Sequence, residues 1–437
     1  VVKTHHKKEA LLMHPLKKLT LENRSGKPVA MASVCSANED VIIASLLLAK
    51  SLNKAILIEA TSNQCNQFGG YTGMKPADFV ALVTKLADQN NVPHELFHFG
   101  GDHLGPQVWR KQDAKVAMTN AEELMKCFVK AGFTKIHLDC SEGLGGEPAQ
   151  VDDELSASRA IALAKVCEEH APDPSKLVYV VGTEVPPPGG ARADEVDQEI
   201  EPTPPERAIK TLEYHKAAFE AAGIADAWNK VIALVVQPGL EFAPMPVDHF
   251  DMSAPNNLSK ALVDYSEICF EAHSTDYQKD AVFSELAKRN FSMLKVGPAL
   301  TFAYRQAIYA LDHIRAHLIP SQNGYAVYNV MEDAMLQDKT SWQGHYEGDE
   351  ASLKLQRHFG YADRIRYYWP QENPQQALQK LEDDLQEKAA PLPLIEQYFD
   401  TKTLELADQL MQENTSWVKA LIYAQIQLAL KPYILKT

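Results

Sequence analysis

The stretch Val231-Ile232-Ala233-Leu234-Val235-Val236-Gln237 runs through six apolar residues to one amide and is followed at once by Pro238-Gly239. A run this short, rich in Val and Ile and apolar at every position, reads as a strand buried on both faces, which is how strands of parallel sheets look. Seven more runs of this kind occupy residues 29–34, 55–59, 96–100, 135–139, 177–183, 268–272 and 293–297. Between them, residues 76–90, 114–131, 157–169, 205–222 and 278–290 carry helical patterning. On the first of these, Phe79, Val80, Val83 and Leu86 oppose a solvated face of Lys85, Asp88 and Gln89. Eight strands alternating with helices predict an α/β chain of the (β/α)8 TIM-barrel type. A doubly wound dinucleotide fold would want G-x-G-x-x-G after the first strand, where this chain has Cys35-Ser36-Ala37-Asn38.

After about residue 319 the strand-like runs stop, and Gln, Glu, Lys and Leu dominate to the end. The expected organisation is an N-terminal segment (1–27, its first 19 residues read as a surface helix), the barrel (28–318), and a mainly helical C-terminal extension (319–437) packed on it. Inside the extension, Asp363-Arg364-Ile365-Arg366-Tyr367-Tyr368-Trp369-Pro370 has two readings. It is an edge strand or helix end against the barrel, or it brings Arg364 or Arg366 to the barrel mouth as a phosphate clamp. Proline-rich stretches at 185–191 and 201–206 bracket an acidic insertion, read as a long loop after the fifth strand.

The 437 residues have a net charge of −15, with 45% hydrophobic and 23% charged residues. This is ordinary globular composition, and its sign argues against nucleic acid or an anionic membrane as the main partner. A phosphorylated substrate remains compatible, because local cations and backbone N–H groups decide that. The six cysteines form no C-x-x-C pair and several lie in apolar runs, as expected of reduced thiols in a cytoplasmic protein. No apolar run reaches the ~18–20 residues of a membrane span, and no signal-peptide core opens the chain.

In a TIM barrel the chemistry gathers where strands end. Here the second strand ends in Glu59, followed by Asn63 and Gln64. The third ends in Gly101-Asp102-His103-Leu104-Gly105-Pro106, and the fourth carries His137 and Asp139. Glu184 follows the fifth strand, Gln237 closes the sixth, Glu271-Ala272-His273 lie at the end of the seventh, and Lys295 is in the eighth. Glu59 and Asp139 read equally well as helix caps or ion-pair partners, and His137, inside a strand, as a satisfied core histidine. Lys295 has a structural reading as the partner of Glu271 or Glu59. His103 and His273 have small neighbours that allow a ligand to approach, and read as functional. Two imidazoles beside carboxylates suit a divalent cation such as Zn2+, which polarises a ketose carbonyl while a neighbouring Asp or Glu moves the proton. No G-x-x-x-x-G-K-[ST] or kinase motif set is present, so nucleotide-driven phosphoryl transfer has no visible machinery.

Longer motifs add a resemblance. Ile58–Gln64, Asn66–Met74, Gly101–Pro106, Gly182–Pro186, Glu271–Tyr277, Lys295–Phe302 and the 363–370 segment, in this order, resemble the GatZ/KbaZ family, the Z subunits of class II tagatose-1,6-bisphosphate aldolase. The resemblance spans roughly residues 28–428. It implies a TIM barrel akin to class II aldolases and a role in galactitol or N-acetylgalactosamine catabolism. It also implies a catalytic Y-type partner subunit that the Z chain stabilises and activates. Some relatives look like metal-dependent C4-epimerases of ketohexoses or their phosphates, and others carry a tagatose-6-phosphate kinase label. By comparison with catalytic class II aldolases, Asp102 matches a proton donor, and His103 and His273 match two zinc ligands. The third histidine, expected near Gln237, has no counterpart, and Glu184 or Glu271 would have to supply an oxygen instead.

The expectation is therefore a non-catalytic Z-type aldolase subunit, with an independent metal-dependent ketohexose-phosphate epimerase or aldolase as the alternative. The expected catalytic residues are Asp102, Glu184 and Glu59, and the expected metal ligands His103, His273 and Glu184. Asn63, Gln64, Gln237, Lys295, Arg364 and Arg366 are expected to hold a sugar phosphate such as tagatose 1,6-bisphosphate or tagatose or fructose 6-phosphate. A Zn2+-like ion and no metal fit the sequence equally, and a homo-oligomer is compatible with it.

Overall fold

Eight parallel strands close into a barrel in the computed structural model, which describes residues 13–182, 200–320 and 325–435. In chain order the strands are β1 (Met31–Cys35), β2 (Ile56–Thr61), β3 (Phe97–Leu104), β4 (Lys135–Leu138), β5 (Val178–Val181), β6 (Val231–Val235), the small hairpin β7 (Glu241–Phe242) and β8 (Val247–Asp248), then β9 (Cys269–Ala272) and β10 (Phe291–Val296). The hairpin stands apart, and β10 pairs with β1 in register Met31 to Met293 and Ser33 to Lys295, which shuts the barrel.

The helices up to the end of the barrel are α1 (Pro15–Arg24), ahead of β1, then α2 (Glu39–Leu52), α3 (Pro76–Gln89), α4 (Ala114–Ala131), α5 (Asp153–His170), α6 (Pro205–Ala221), the short α7 (Ala225–Trp228) and α8 (Asp280–Lys288) between strands, and α9 (Pro298–Leu318) after β10. Their starts follow local chemistry. Asn38 caps α2 through the Val41 N–H (3.1 Å), and Asp113 caps α4 through that of Lys115 (2.9 Å). The C-terminal extension is helical, as expected: α10 (Ala326–Gln337), α11 (Glu350–Phe359), α12 (Glu372–Glu387), α13 (Leu392–Ile395), α14 (Thr401–Gln412) and α15 (Trp417–Leu435). The last helix packs against α2 and α9. It is tied down by Gln427 donating to the Ala44 carbonyl (3.0 Å) and by Tyr433 Oη donating to the Thr275 carbonyl (2.7 Å) at the end of β9.

The barrel interior is layered because residues two apart on a strand face the same way. Leu57, Val178, Val180, Ile232, Val235 and Met293 make an apolar floor, and α1 seals it with the fully buried Leu16. The described part of the N-terminal segment is thus a plug in the barrel floor rather than a surface helix. One step up the same strands, Leu57 gives way to Glu59 and Met293 to Lys295, and the interior becomes ionic. Segment 363–370 is not an edge strand. It forms a tight 3-10 turn at Arg364–Tyr367, entered through Asp363 at φ 45°. No helix of the described residues is long and apolar enough to cross a membrane.

Candidate active site

Lys135 and Lys295 are fully or nearly fully buried, so each needs carboxylates around it. Lys135 Nζ lies 2.8 Å from Glu59 Oε1 and 2.8 Å from Glu271 Oε2. Lys295 Nζ pairs with Glu59, with Asp102 Oδ1 at 2.5 Å and with Glu271 Oε1 at 3.6 Å. Two ammonium groups thus sit among three carboxylates, with Glu59 and Glu271 fully buried and Asp102 lining the cavity above. Gly100 makes the room: a Cβ there would stand 2.5 Å from Glu59 Oε1.

Above the ion pairs three imidazoles face one another. Ring centroids are 5.3 Å apart for His103 and His137, 4.9 Å for His103 and His273, and 5.3 Å for His137 and His273. His103 sits in the left-handed region at φ 46°, an uncommon conformation for a residue with a side chain, held by the contacts around it. Its carbonyl accepts from Ser62 Oγ (2.9 Å) and from Gln107, its N–H points to His137 Nδ1 (3.2 Å), and its own Nδ1 meets Asp139 Oδ2 at 2.8 Å. Asp139 in turn accepts from Ser141 Oγ (2.7 Å). His137 Nδ1 also reaches Asp102 Oδ1 at 3.1 Å, and His273 Nε2 reaches Glu271 Oε1 at 2.9 Å.

The charges follow from this packing. Burial opposes ionisation of Asp102, but His103 and Lys295 hold its carboxyl well below the usual range; Lys135 and Lys295 do the same for Glu271. Burial also works against a charged His103, yet the Asp102 and Asp139 carboxylates raise it. His273 goes the other way: burial, with Lys295 adding to it, pushes the imidazole down to about 3, so it is neutral.

Asp102, His137, Glu271 and His273 each offer a donor atom, all within 4.8 Å of one another and all buried. Whether they suit a cation is tested by what the ring nitrogens lack. His137 Nε2 and His273 Nδ1 are buried without a hydrogen-bond partner, while the opposite nitrogen of each ring is held by a carboxylate. His273, neutral and held through Nε2 by Glu271, keeps Nδ1 open as a ligand position; His137, whose Nδ1 meets both the His103 N–H and Asp102, has only Nε2 to offer. The residues fit a divalent cation, even though Lys295 shares Asp102 and Glu271 with it.

The cavity over this cluster measures about 80 Å³ and is lined by Asn63, Gln64, Asp102, His103, His273, Lys295 and Arg366, all anticipated from sequence. Cys35, Tyr71, Asp276 and Tyr367 line it too. Glu59 lies beneath it. Gln237 does not line it: its side-chain oxygen accepts the N–H groups of Gly239 (2.9 Å) and Leu240 (3.1 Å) and shapes the loop after β6. Arg364 turns away into a neighbouring chamber. Glu184 lies outside the described residues. The reading of His137 as a satisfied core residue is corrected. It is buried with Nε2 unpartnered, and from β4 it adds a third imidazole to the cluster.

The family model for D-tagatose-1,6-bisphosphate aldolase subunit GatZ/KbaZ-like proteins matches residues 16–437. The chain belongs to the GatZ/KbaZ-like family. Among its GatZ/KbaZ-like relatives, a protein of Agrobacterium fabrum (strain C58 / ATCC 33970) described as D-tagatose 6-phosphate 4-epimerase is 46% identical over 386 residues, 88% of this chain and 90% of that one. A crystal structure of a probable tagatose 6 phosphate kinase from Sinorhizobium meliloti 1021 is 40% identical, with a TM-score of 0.83 over 93% of this chain and 100% of that one.

Proposed function

We propose that this GatZ/KbaZ-like chain is a metal-dependent 4-epimerase of a ketohexose 6-phosphate such as tagatose 6-phosphate, acting in the cytoplasm. The observation that carries the reading is the convergence of His137 and His273, each with an unpartnered buried nitrogen, on Asp102 and Glu271. The 46% identical relative described as a tagatose 6-phosphate 4-epimerase supports the choice of reaction. Six unpaired cysteines suit a reducing compartment.

The chemistry constrains the route. In a 2-ketose the C4 hydrogen is not adjacent to the carbonyl, so no base removes it directly. C4 inverts if the C3–C4 bond breaks with its electron pair moving towards the C2 ketone. This leaves an enediolate over C2 and C3 and an aldehyde at C4, and the bond re-forms on the opposite aldehyde face after rotation about C4–C5. His137, His273 and a carboxylate would hold a divalent cation, Zn2+ being suited to such N and O donors, and the ion would supply Lewis-acid charge for the ketone. Asp102, ionised and at the cavity floor, accepts the C4 hydroxyl proton as the bond breaks and returns it on closure. His103, charged between Asp102 and Asp139, donates hydrogen bonds to the oxygens that gain charge. Lys295 fixes the Asp102 carboxylate, and Asn63 and Gln64 orient hydroxyl groups.

The family description as an aldolase subunit favours a second reading, a Z-type chain that activates a catalytic Y-type partner in galactitol catabolism. One experiment separates the two. The purified chain alone, supplied with Zn2+ or Mn2+ and tagatose 6-phosphate, is expected to form fructose 6-phosphate, and Asp102→Asn is expected to abolish this. No turnover alone, with a higher rate of an added Y-type subunit, would overturn the epimerase reading in favour of the second.

A further inference from the structure

The 80 Å³ cavity over the cluster holds about half a dozen waters, far less than a hexose phosphate. It accommodates the reacting carbons, and the remainder of a substrate has to enter an adjoining space. Two adjoin it. One, of about 720 Å³, is reached past Cys35, Gln64, Gly297 and Arg366. Its wall carries Glu39, Asp40 and Glu382, and its Lys419 is already paired with Asp40 (2.9 Å) and Glu382 (2.6 Å). An anion gains nothing there.

The other chamber, of about 610 Å³, is reached past Asn63, Tyr71 and Tyr367. It is lined by Arg110, Lys111 and Arg364 against one carboxylate, Glu142, which Arg110 contacts at 2.7 Å. In a chain with net charge −15 this is a local reversal of sign. Arg364 is 8% exposed and has no carboxylate partner among the described residues. Its Nε donates to the Ser341 carbonyl and its guanidinium lies 5.0 Å from the Tyr367 ring, which leaves Nη1 and Nη2 without a hydrogen bond to the described residues. A buried guanidinium without a counter-ion is costly, and its two free nitrogens match the oxygens of a phosphate.

Arg366 is the competing candidate, since it lines the small cavity directly. Its donors are spent on its own turn: Nη1 on the Ala362 carbonyl and the Asp363 carbonyl (3.0 Å), and Nη2 on Tyr367 Oη (2.8 Å). Asp276 lines the same cavity, and its carboxylate occupies the Gly297 and Ala299 N–H groups (3.0 and 2.8 Å) at the start of α9. The helix start that would otherwise receive a phosphate is therefore filled by a side chain.

We infer that the phosphate monoester of the substrate is seated by Arg364, Arg110 and Lys111 in the chamber beyond Tyr71 and Tyr367, and that this seat selects phosphorylated over free ketoses. The inference rests on the sugar-phosphate reading above, but its test does not need turnover. Inorganic phosphate, tagatose 6-phosphate and unphosphorylated tagatose are titrated calorimetrically into the full chain and into Arg364→Gln, Lys111→Gln and Arg366→Gln. Inorganic phosphate is expected to bind and to compete with tagatose 6-phosphate. Affinity for both is expected to fall about tenfold or more in Arg364→Gln and about threefold in Lys111→Gln, and free tagatose is expected to bind equally to all. Lys111 is exposed, so its variant keeps the test alive if Arg364→Gln does not fold. Unchanged phosphate affinity in the folded variants at Arg364 and Lys111, a loss confined to Arg366→Gln, or phosphate that binds without competing with the sugar phosphate would each overturn the seat. Absence of epimerisation alongside an intact Arg364-dependent phosphate response would instead count against the reaction and leave the seat standing.

Discussion

Asp139 Oδ2 lies 2.8 Å from Nδ1 of His103, and both groups are buried. The contact fixes the His103 ring and directs Nε2 towards Asp102, whose Oδ2 is 3.8 Å away. A carboxylate acting through an imidazole in this way supports activity more than folding. Asp139→Asn is expected to lower kcat about 10- to 100-fold with little change in KM. It is also expected to move the alkaline limb of the pH–rate profile to lower pH, because His103, needed in its charged form, loses part of the support that raises it. Steady-state kinetics across pH check this; unchanged kcat in a folded variant would remove Asp139 from the machinery.

Lys135 has no route to water and bridges Glu59 and Glu271 at 2.8 Å each. Removing its charge while leaving both carboxylates buried strands negative charge in the barrel. Lys135→Met is expected to cost about 3–5 kcal/mol of stability, read as a lower urea midpoint with an unchanged m-value. A loss under about 1 kcal/mol, the scale of an exposed pair, would show that the interior relaxes around the missing ammonium.

The barrel was legible because its strands are apolar on both faces and end in polar residues, a pattern set by burial alone. What escaped depended on contacts distant in sequence. The expected third strand stopped at Gly100, but β3 continues to Leu104, since Gly100 and Gly105 are there to admit Glu59 and the Asp139 carbonyl rather than to turn the chain. Lys135 and His137 stand two residues apart in a buried strand, so both face the interior, and a buried lysine there already implied facing carboxylates. That signal would have placed His137 in the cluster at the strand ends. The turn at 364–367 could not be read locally because it hangs on Asp363, which Thr301 (2.6 Å) and Arg305 (3.0 Å) of α9 hold from some 60 residues away.

The unpartnered nitrogens of His137 and His273 make metal content a direct readout. The chain prepared with Zn2+ is expected to retain about one ion after dialysis. His137→Ala and His273→Ala are each expected to lose it, and chelation is expected to lower both activity and melting temperature until the metal is returned. Full metal occupancy in the His137→Ala/His273→Ala double variant would place the ion elsewhere.

Glu241 supplies a pH dependence away from this cluster. It is 3% exposed, accepts the Phe242 N–H at 2.9 Å, and burial pushes its carboxyl up to about 8. The unfolded chain releases this proton near pH 4.3, whereas the folded chain holds it to about 8. Between these values the folded state binds more protons, so this group's contribution to stability is complete below pH 4 and declines as pH rises towards 8. The decline is on the order of 3–5 kcal/mol if no other group compensates. Glu241→Gln keeps the hydrogen-bonding shape and cannot ionise, so it is expected to melt higher than the parent at pH 8 and about equally at pH 4. Thermal scans at the two pH values decide it: a variant that gains nothing at pH 8 would mean that the folded chain carries Glu241 ionised, with a counter-charge drawn to the β7–β8 hairpin.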